Sequence, residues 1–127
     1  CYVAPTTNQL TIEFALQEDS GSWLIDDVSA TQGNGELIIN GDFESNFSNW
    51  TLVVYSNATS SIAVDSISGG QHSGTAYLYG VSVNAMSYVK QTFSIIRGRN
   101  ILIGFWLNYI QAFGFPSGTS ELMVTIT

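Results

Sequence analysis

Charge is scarce in this chain. Ionised side chains make up 10% of the 127 residues, against about a quarter in ordinary soluble domains. Lys90, Arg97 and Arg99 are the only basic residues, and the net charge is −7. Neutralising a phosphate backbone needs clustered Lys and Arg, so nucleic acid is excluded as a partner, and docking on an anionic membrane is excluded with it. Cysteine is nearly absent. Cys1 stands alone, so no disulfide can form within the chain. It reads as a residue paired in a neighbouring copy or missing segment, as an unpaired bystander, or as the lipid-bearing first residue of a bacterial lipoprotein. A start at Cys1 without an initiator Met points to processing or to excision from something longer. Long apolar runs are missing too. Asn, Gly and Ser break each one well short of the ~20 residues that span a membrane.

Histidine is limited to His72. A zinc site needs several His or Cys ligands, and a Ser-His-Asp arrangement would have to use this one, in a Gly-rich turn with no nucleophile elbow. Paired carboxylates do occur, at Glu18-Asp19, Asp26-Asp27 and Asp42/Glu44. Glycoside hydrolysis needs two of them across a cleft. Here they read as oxygen ligands or turn residues, and no enzyme is expected.

What the chain does have is alternation. Apolar residues make up 45% of it and mean hydropathy is +0.19. Their dominant period is two. Leu10, Ile12, Phe14 and Leu16 alternate with more polar neighbours, as do Val89, Gln91, Phe93 and Ile95, and Leu122, Val124 and Ile126. The stretch from Ile101 to Ile110 is apolar on both faces, which predicts a central strand. Shorter strands are predicted at Trp23–Ser29, Glu36–Asn40, Trp50–Tyr55, Ser61–Asp65 and Ala76–Tyr79. Turn clusters separate them at 19–22, 33–35, 68–70, 97–99 and 116–118. Eight or nine short strands without an amphipathic helix predict an all-β fold, an antiparallel β-sandwich of jelly-roll type.

Four segments resemble a known family. Asn40-Gly41-Asp42-Phe43-Glu44 followed by Trp50 resembles the opening strand of secreted galactose-binding-like jelly-roll modules, which include many carbohydrate-binding modules. Gly70-Gln71-His72-Ser73-Gly74 with Thr75–Leu78 is similar to their turn and following strand. Tyr88–Phe93 with Gly98–Leu107 resembles a strand pair, and Trp23-Leu24-Ile25-Asp26-Asp27-Val28-Ser29 resembles the closing strand. The order is reversed, however. Residues 1–32 carry the closing strands and residues 36–127 the main body, joined by Gly33-Asn34-Gly35. One repeat cut from a tandem array, a circular permutant, or a subunit that donates its first strands to a neighbour would each produce this order. In the last case Leu10, Ile12, Phe14, Leu16, Leu24 and Val28 would seat in the neighbouring sandwich.

The resemblance implies a structural calcium ion between first and last strands, and the matching positions are Glu44, Asp26 and Asp27. Hard cations take oxygen donors of this kind. It also implies sugar recognition on displayed aromatics, for which Tyr55, Tyr79 and Tyr109 are candidates. Asn46, Asn49 and Asn57 each open an N-x-Ser/Thr acceptor for glycosylation, with Asn49 expected to be the least accessible because Trp50 beside it should be buried. The expected function is a non-enzymatic repeat unit of an extracellular fibre or surface array. Its partners would be identical subunits in a linear polymer, joined by complementation between sandwiches. The alternative is a carbohydrate-binding module of a secreted enzyme or adhesin, with glycans as partners.

Overall fold

A computed structural model describes residues 2–3, 8–54, 59–66, 69–111 and 120–127. All of its regular structure is β. The strands are β1 (Tyr2–Val3), β2 (Gln9–Glu18), β3 (Gly21–Gln32), β4 (Gly35–Glu36), β5 (Thr51–Val54), β6 (Thr59–Asp65), β7 (Tyr77–Val83), β8 (Ser87–Ser94), β9 (Asn100–Gln111) and β10 (Ser120–Ile126). They form two antiparallel sheets. One runs β1-β9-β3-β7-β6 with β4 attached to β3, and the other runs β10-β2-β8-β5. The two pack face to face as a β-sandwich.

Alternation selects the buried faces. Leu10, Ile12, Phe14 and Leu16 of β2 are at most 1% exposed, and they meet Ile25, Val28 and Ala30 of β3, Leu78 of β7 and Val89 and Phe93 of β8. In β3 the register shifts between Asp26 and Ser29, where Asp27 takes a φ of 50°. This bulge changes which parity points inward. Trp23 and Ile25 face the core before it, Val28 and Ala30 after it, and Leu24 and Asp26 lie on the outer face yet are fully buried.

The described part of residues 1–32, 2–3 and 8–32, lies in its own chain's sandwich. β2 sits between β10 and β8, and β3 between β9 and β7. The connector is a tight hairpin: Gln32 pairs with Gly35, Thr31 pairs with Glu36, and Gly33 supplies a φ of 64° at the turn. All six side chains expected to enter a neighbour, Leu10, Ile12, Phe14, Leu16, Leu24 and Val28, are buried within this chain. The folded chain exposes 6892 Å², close to the roughly 6,600 Å² of a compact monomer of its mass.

Two sequence expectations are corrected. Glu36–Asn40 is not a strand beyond Glu36, and the Asn40–Glu44 motif is a loop. Asn40, Phe43, Asn46 and Asn49 all have positive φ, and the Asn40 side chain ties the loop by accepting from Ser45 N–H and donating to the Asn46 and Ser48 carbonyls. Phe43 and Trp50 from this loop stack at 5.3 Å and are buried in the core. The second correction concerns β9. It is not central. Its far side pairs with β1 only at Asn100 and Ile101, and among the described residues nothing pairs there with Leu102–Gln111.

Candidate functional site

The three residues expected to hold an ion do converge, but on one loop rather than on a point. The bulge of β3 aims Asp26 and Asp27 at residues 69–76, and the Asn40–Trp50 loop brings Glu44 to the same segment from the other end. Asp26, fully buried, accepts from His72 N–H at 2.8 Å and Ser73 N–H at 3.2 Å through Oδ2, and from Asp27 N–H at 2.7 Å through Oδ1. Glu44 accepts from Thr75 N–H, the Thr75 hydroxyl at 2.6 Å and Ala76 N–H at 2.7 Å. Gly74 leaves room for that carboxylate: a Cβ there would stand 2.2 Å from Glu44 Oε1. Two carboxylates thus satisfy four backbone N–H groups of one turn.

Asp27 completes the arrangement on the outside. Its carboxylate meets His72 Nδ1 at 2.6 Å and accepts from the Ser73 hydroxyl at 2.6 Å, while the imidazole stacks on Trp106 at 5.5 Å. His72 and Ser73 both bind Asp27, so the imidazole does not lie between carboxylate and hydroxyl as nucleophile activation requires. Among the described residues no three His, Cys, Asp or Glu side chains group as a metal cage. Every oxygen of Asp26, Asp27 and Glu44 that faces the loop meets a donor or the imidazole. This donor set does not fit a shared calcium ion, and the N–H donors do the bridging that the ion was expected to do.

The hydrogen bonds shift the carboxyls. The His72 ring, then the Ser73 hydroxyl, hold Asp27 below the usual 3.8, and the Thr75 hydroxyl and N–H with Ala76 N–H hold Glu44 below 4.5. Each group is therefore harder to protonate folded than unfolded, so acid favours the unfolded chain. The clamp's contribution is complete above these ordinary values and is lost as pH falls through the lower folded ones. The melting temperature should accordingly stay level from about pH 7 to pH 5 and fall below about pH 4. Glu44→Gln should lower the neutral-pH value and shrink the acid drop, as measured by thermal melts across that range; an unchanged acid slope would refute the role.

The other expected site residues scatter. Tyr79 pairs with Leu24 on the outer face of the larger sheet, where its hydroxyl accepts from Ser22. Tyr109 faces inward, its ring 4.9 Å from Trp23 and its hydroxyl donating to Glu18 at 3.3 Å. They lie on opposite faces of one sheet, so no shared stacking platform includes both. Tyr55 and Asn57 lie outside the described residues. Asn46 and Asn49 are both exposed. The buried ring of Trp50 does not draw Asn49 inward, because Asn49 turns outward at a φ of 67°.

Two features escaped the sequence reading. On the outer face of the smaller sheet, Glu13, Val53, Tyr88 and Lys90 line a shallow cavity of about 230 Å³; Glu13 and Lys90 sit directly opposite in β2 and β8, a juxtaposition that only the register reveals. The other is the β9 edge. Leu102 is 63% exposed and Ile110 50% on its outer face, while the inward-facing Phe105 and Leu107 are 37% and 39% exposed. On β10, Met123 is also exposed. No known protein family, curated protein or solved structure matches this chain, so any reading of its function stands on this geometry.

Proposed function

We propose that this chain is a non-enzymatic structural module that joins copies of itself, sandwich to sandwich, in an extracellular fibre or surface array. The observation that carries the reading is the open edge of β9. Exposed strand edges are normally blunted by charge, proline, a bulge or a covering segment, because their free N–H and C=O groups recruit another strand. From Leu102 to Gln111 the sequence has no ionised residue and no proline, and the one register shift opposite it, at Gly104–Trp106, places its extra residue on β3 between Asp26 and Ser29 rather than on β9. Four large apolar side chains stand exposed along it. Association at this edge would satisfy the backbone and cover those side chains together. This reading puts complementation at β9 rather than at residues 1–32, and the hairpin pairing Gln32 with Gly35 supports it. Exposed Asn46 and Asn49 suit glycan attachment in a secreted protein whose surface has few charges.

Sedimentation velocity tests the reading. The purified chain should associate as its concentration rises, and Leu102→Lys with Ile110→Lys should reduce that association at least tenfold while leaving the melting temperature within about 2 °C, since both side chains are exposed. A twofold contact at one edge closes at the dimer, so growth into a fibre reports a second contact between copies. A monomer at every concentration would overturn it. A second reading, carbohydrate binding, is favoured by the cavity at Glu13, Val53, Tyr88 and Lys90. There an aromatic ring stands beside one acceptor and one donor, the kit that stacks on and hydrogen-bonds a sugar ring. Retardation in gels containing polysaccharide, lost on Tyr88→Ala, would establish it.

A further inference from the structure

We propose that two copies pair antiparallel through β9 across a twofold axis at Trp106; this rests on the self-association reading and names its partner as a second copy in a fixed register. The sequence of the free edge is the first reason. An isologous contact places the same strand against itself, so the side chains must match about a centre. With Trp106 opposite its own counterpart, Leu102 falls opposite Ile110, Phe105 opposite Leu107, and Gly104 opposite Asn108. Each strongly exposed apolar side chain of the edge then meets another exposed apolar side chain on the same face of the joined sheet. A shift of one residue in the pairing breaks every one of these matches and puts outward side chains opposite inward ones.

The limits of the free edge agree. β1 occupies the far side of Asn100 and Ile101, so the stretch of β9 without a pairing partner among the described residues begins at Leu102. The residue opposite Leu102 in this register is Ile110, and the one opposite Ile101 would be Gln111, where β9 ends. An axis at Trp106 therefore pairs nine of the ten residues from Leu102 to Gln111 and leaves only Gln111 outside. Charge points to the same occupant. Each copy carries a net charge of −7, and like charges repel at close approach. β10 carries Glu121 and β6 carries Asp65, whereas β9 has no ionised side chain. β5, the remaining edge, is also uncharged but has only four residues, Thr51–Val54, so β9 is the long edge that a second acidic copy can approach without facing its own sign. Nine residues of antiparallel pairing extend over about 30 Å, and would join the two larger sheets into one.

Disulfide trapping tests the register. In a Cys1→Ser background, Gly104→Cys and Asn108→Cys are made as separate proteins and mixed. In the proposed pairing Gly104 of one copy lies directly opposite Asn108 of the other, within the roughly 4.4–6.8 Å Cα separation that a disulfide bridges. Two copies of the same variant hold their cysteines four residues apart along the strand, about 14 Å. Mild oxidation should yield the mixed dimer at least tenfold above either homodimer. Amide exchange of the unmodified chain should slow across Leu102–Ile110 on concentration, a readout that needs no substitution. Assembly by sedimentation with neither mixed disulfide nor protection would overturn the β9 register and leave the assembly reading standing. A mixed disulfide in material that never grows past the dimer would support the register and overturn the fibre.

Discussion

Asp26→Ala should lower the melting temperature by about 10–20 °C. The carboxylate is completely buried and accepts from three backbone N–H groups, those of Asp27, His72 and Ser73. Alanine leaves all three donors without a partner. An unpaired buried polar group costs about 1–3 kcal/mol, and some of this is recovered because the loop lies near solvent, so a net loss of about 3–5 kcal/mol is expected. For a domain of this size each kcal/mol moves the midpoint by roughly 3–5 °C. Asp26→Asn should fall between, because one amide oxygen can serve His72 and Ser73 while its NH₂ faces the Asp27 N–H. Chelation separates this account from an ionic one. Dialysis against EDTA should leave the wild-type midpoint in place, since the bridging donors belong to the chain itself; a fall comparable to that of Asp26→Ala would show that an ion shares the carboxylates after all.

The core was legible in the sequence because burial on one face imposes a period of two. Leu10, Ile12, Phe14 and Leu16 announced β2, and Val89, Gln91 and Phe93 announced β8. Even Gln91 kept the phase: it points inward and binds both the N–H and the carbonyl of Ile39. β9 was misread as central because apolar residues on both faces suit two situations, a strand buried on both sides and an edge awaiting a partner. Composition is the same in each, and only the hydrogen-bonding neighbours distinguish them. The bulge at Asp27 was invisible for a related reason. Strict alternation along Trp23–Val28 predicts Asp26 pointing into the sandwich with Leu24, whereas the structure turns both to the outer face and buries them there.

The site was half legible. Asp26, Asp27 and Glu44 were picked out as residues acting together, and they do act on one loop. Their chemistry depends on what the loop offers in return, and a sequence does not show whether a carboxylate meets a cation or a row of N–H groups. His72 was set aside as an ordinary turn residue, yet its ring spans Asp27 and Trp106 from separate strands, a contact that arises only when β3 and β9 lie side by side. Tyr79 and Tyr109 face opposite ways through parity: they oppose Leu24 and Trp23, adjacent residues of β3, and adjacent residues point to opposite faces.

Gly41→Ala should destabilise the fold by about 3–5 kcal/mol, as much as removing a large core side chain. Gly41 has no positive φ to explain it; its reason is space. A Cβ at this position would lie 1.8 Å from the Val28 carbonyl oxygen and 2.9 Å from its carbon. Both are backbone atoms of a central strand and cannot rotate away. The close approach exists because the Gly41 carbonyl accepts from Val28 N–H at 2.9 Å, where the β3 bulge has turned that donor out of its sheet ladder. Alanine must therefore push the loop off β3 and break that bond. The displacement spreads, because the loop carries Phe43 and Trp50 into the core and the Trp50 indole donates to the Asn40 carbonyl at 2.8 Å. Glu44 would be drawn back from Thr75 and Ala76 by the same movement, so the clamp on the 69–76 loop should loosen as well. The expected readouts are a midpoint lowered by about 10–20 °C and faster amide exchange at Thr75 and Ala76. Gly35→Ala is the control, since its Cβ would meet only the Gln32 carbonyl oxygen at an ordinary 3.6 Å, and it should change the midpoint by no more than about 3 °C. Equal effects from the two substitutions would show that the seating of Gly41 against Val28 is not what fixes this loop.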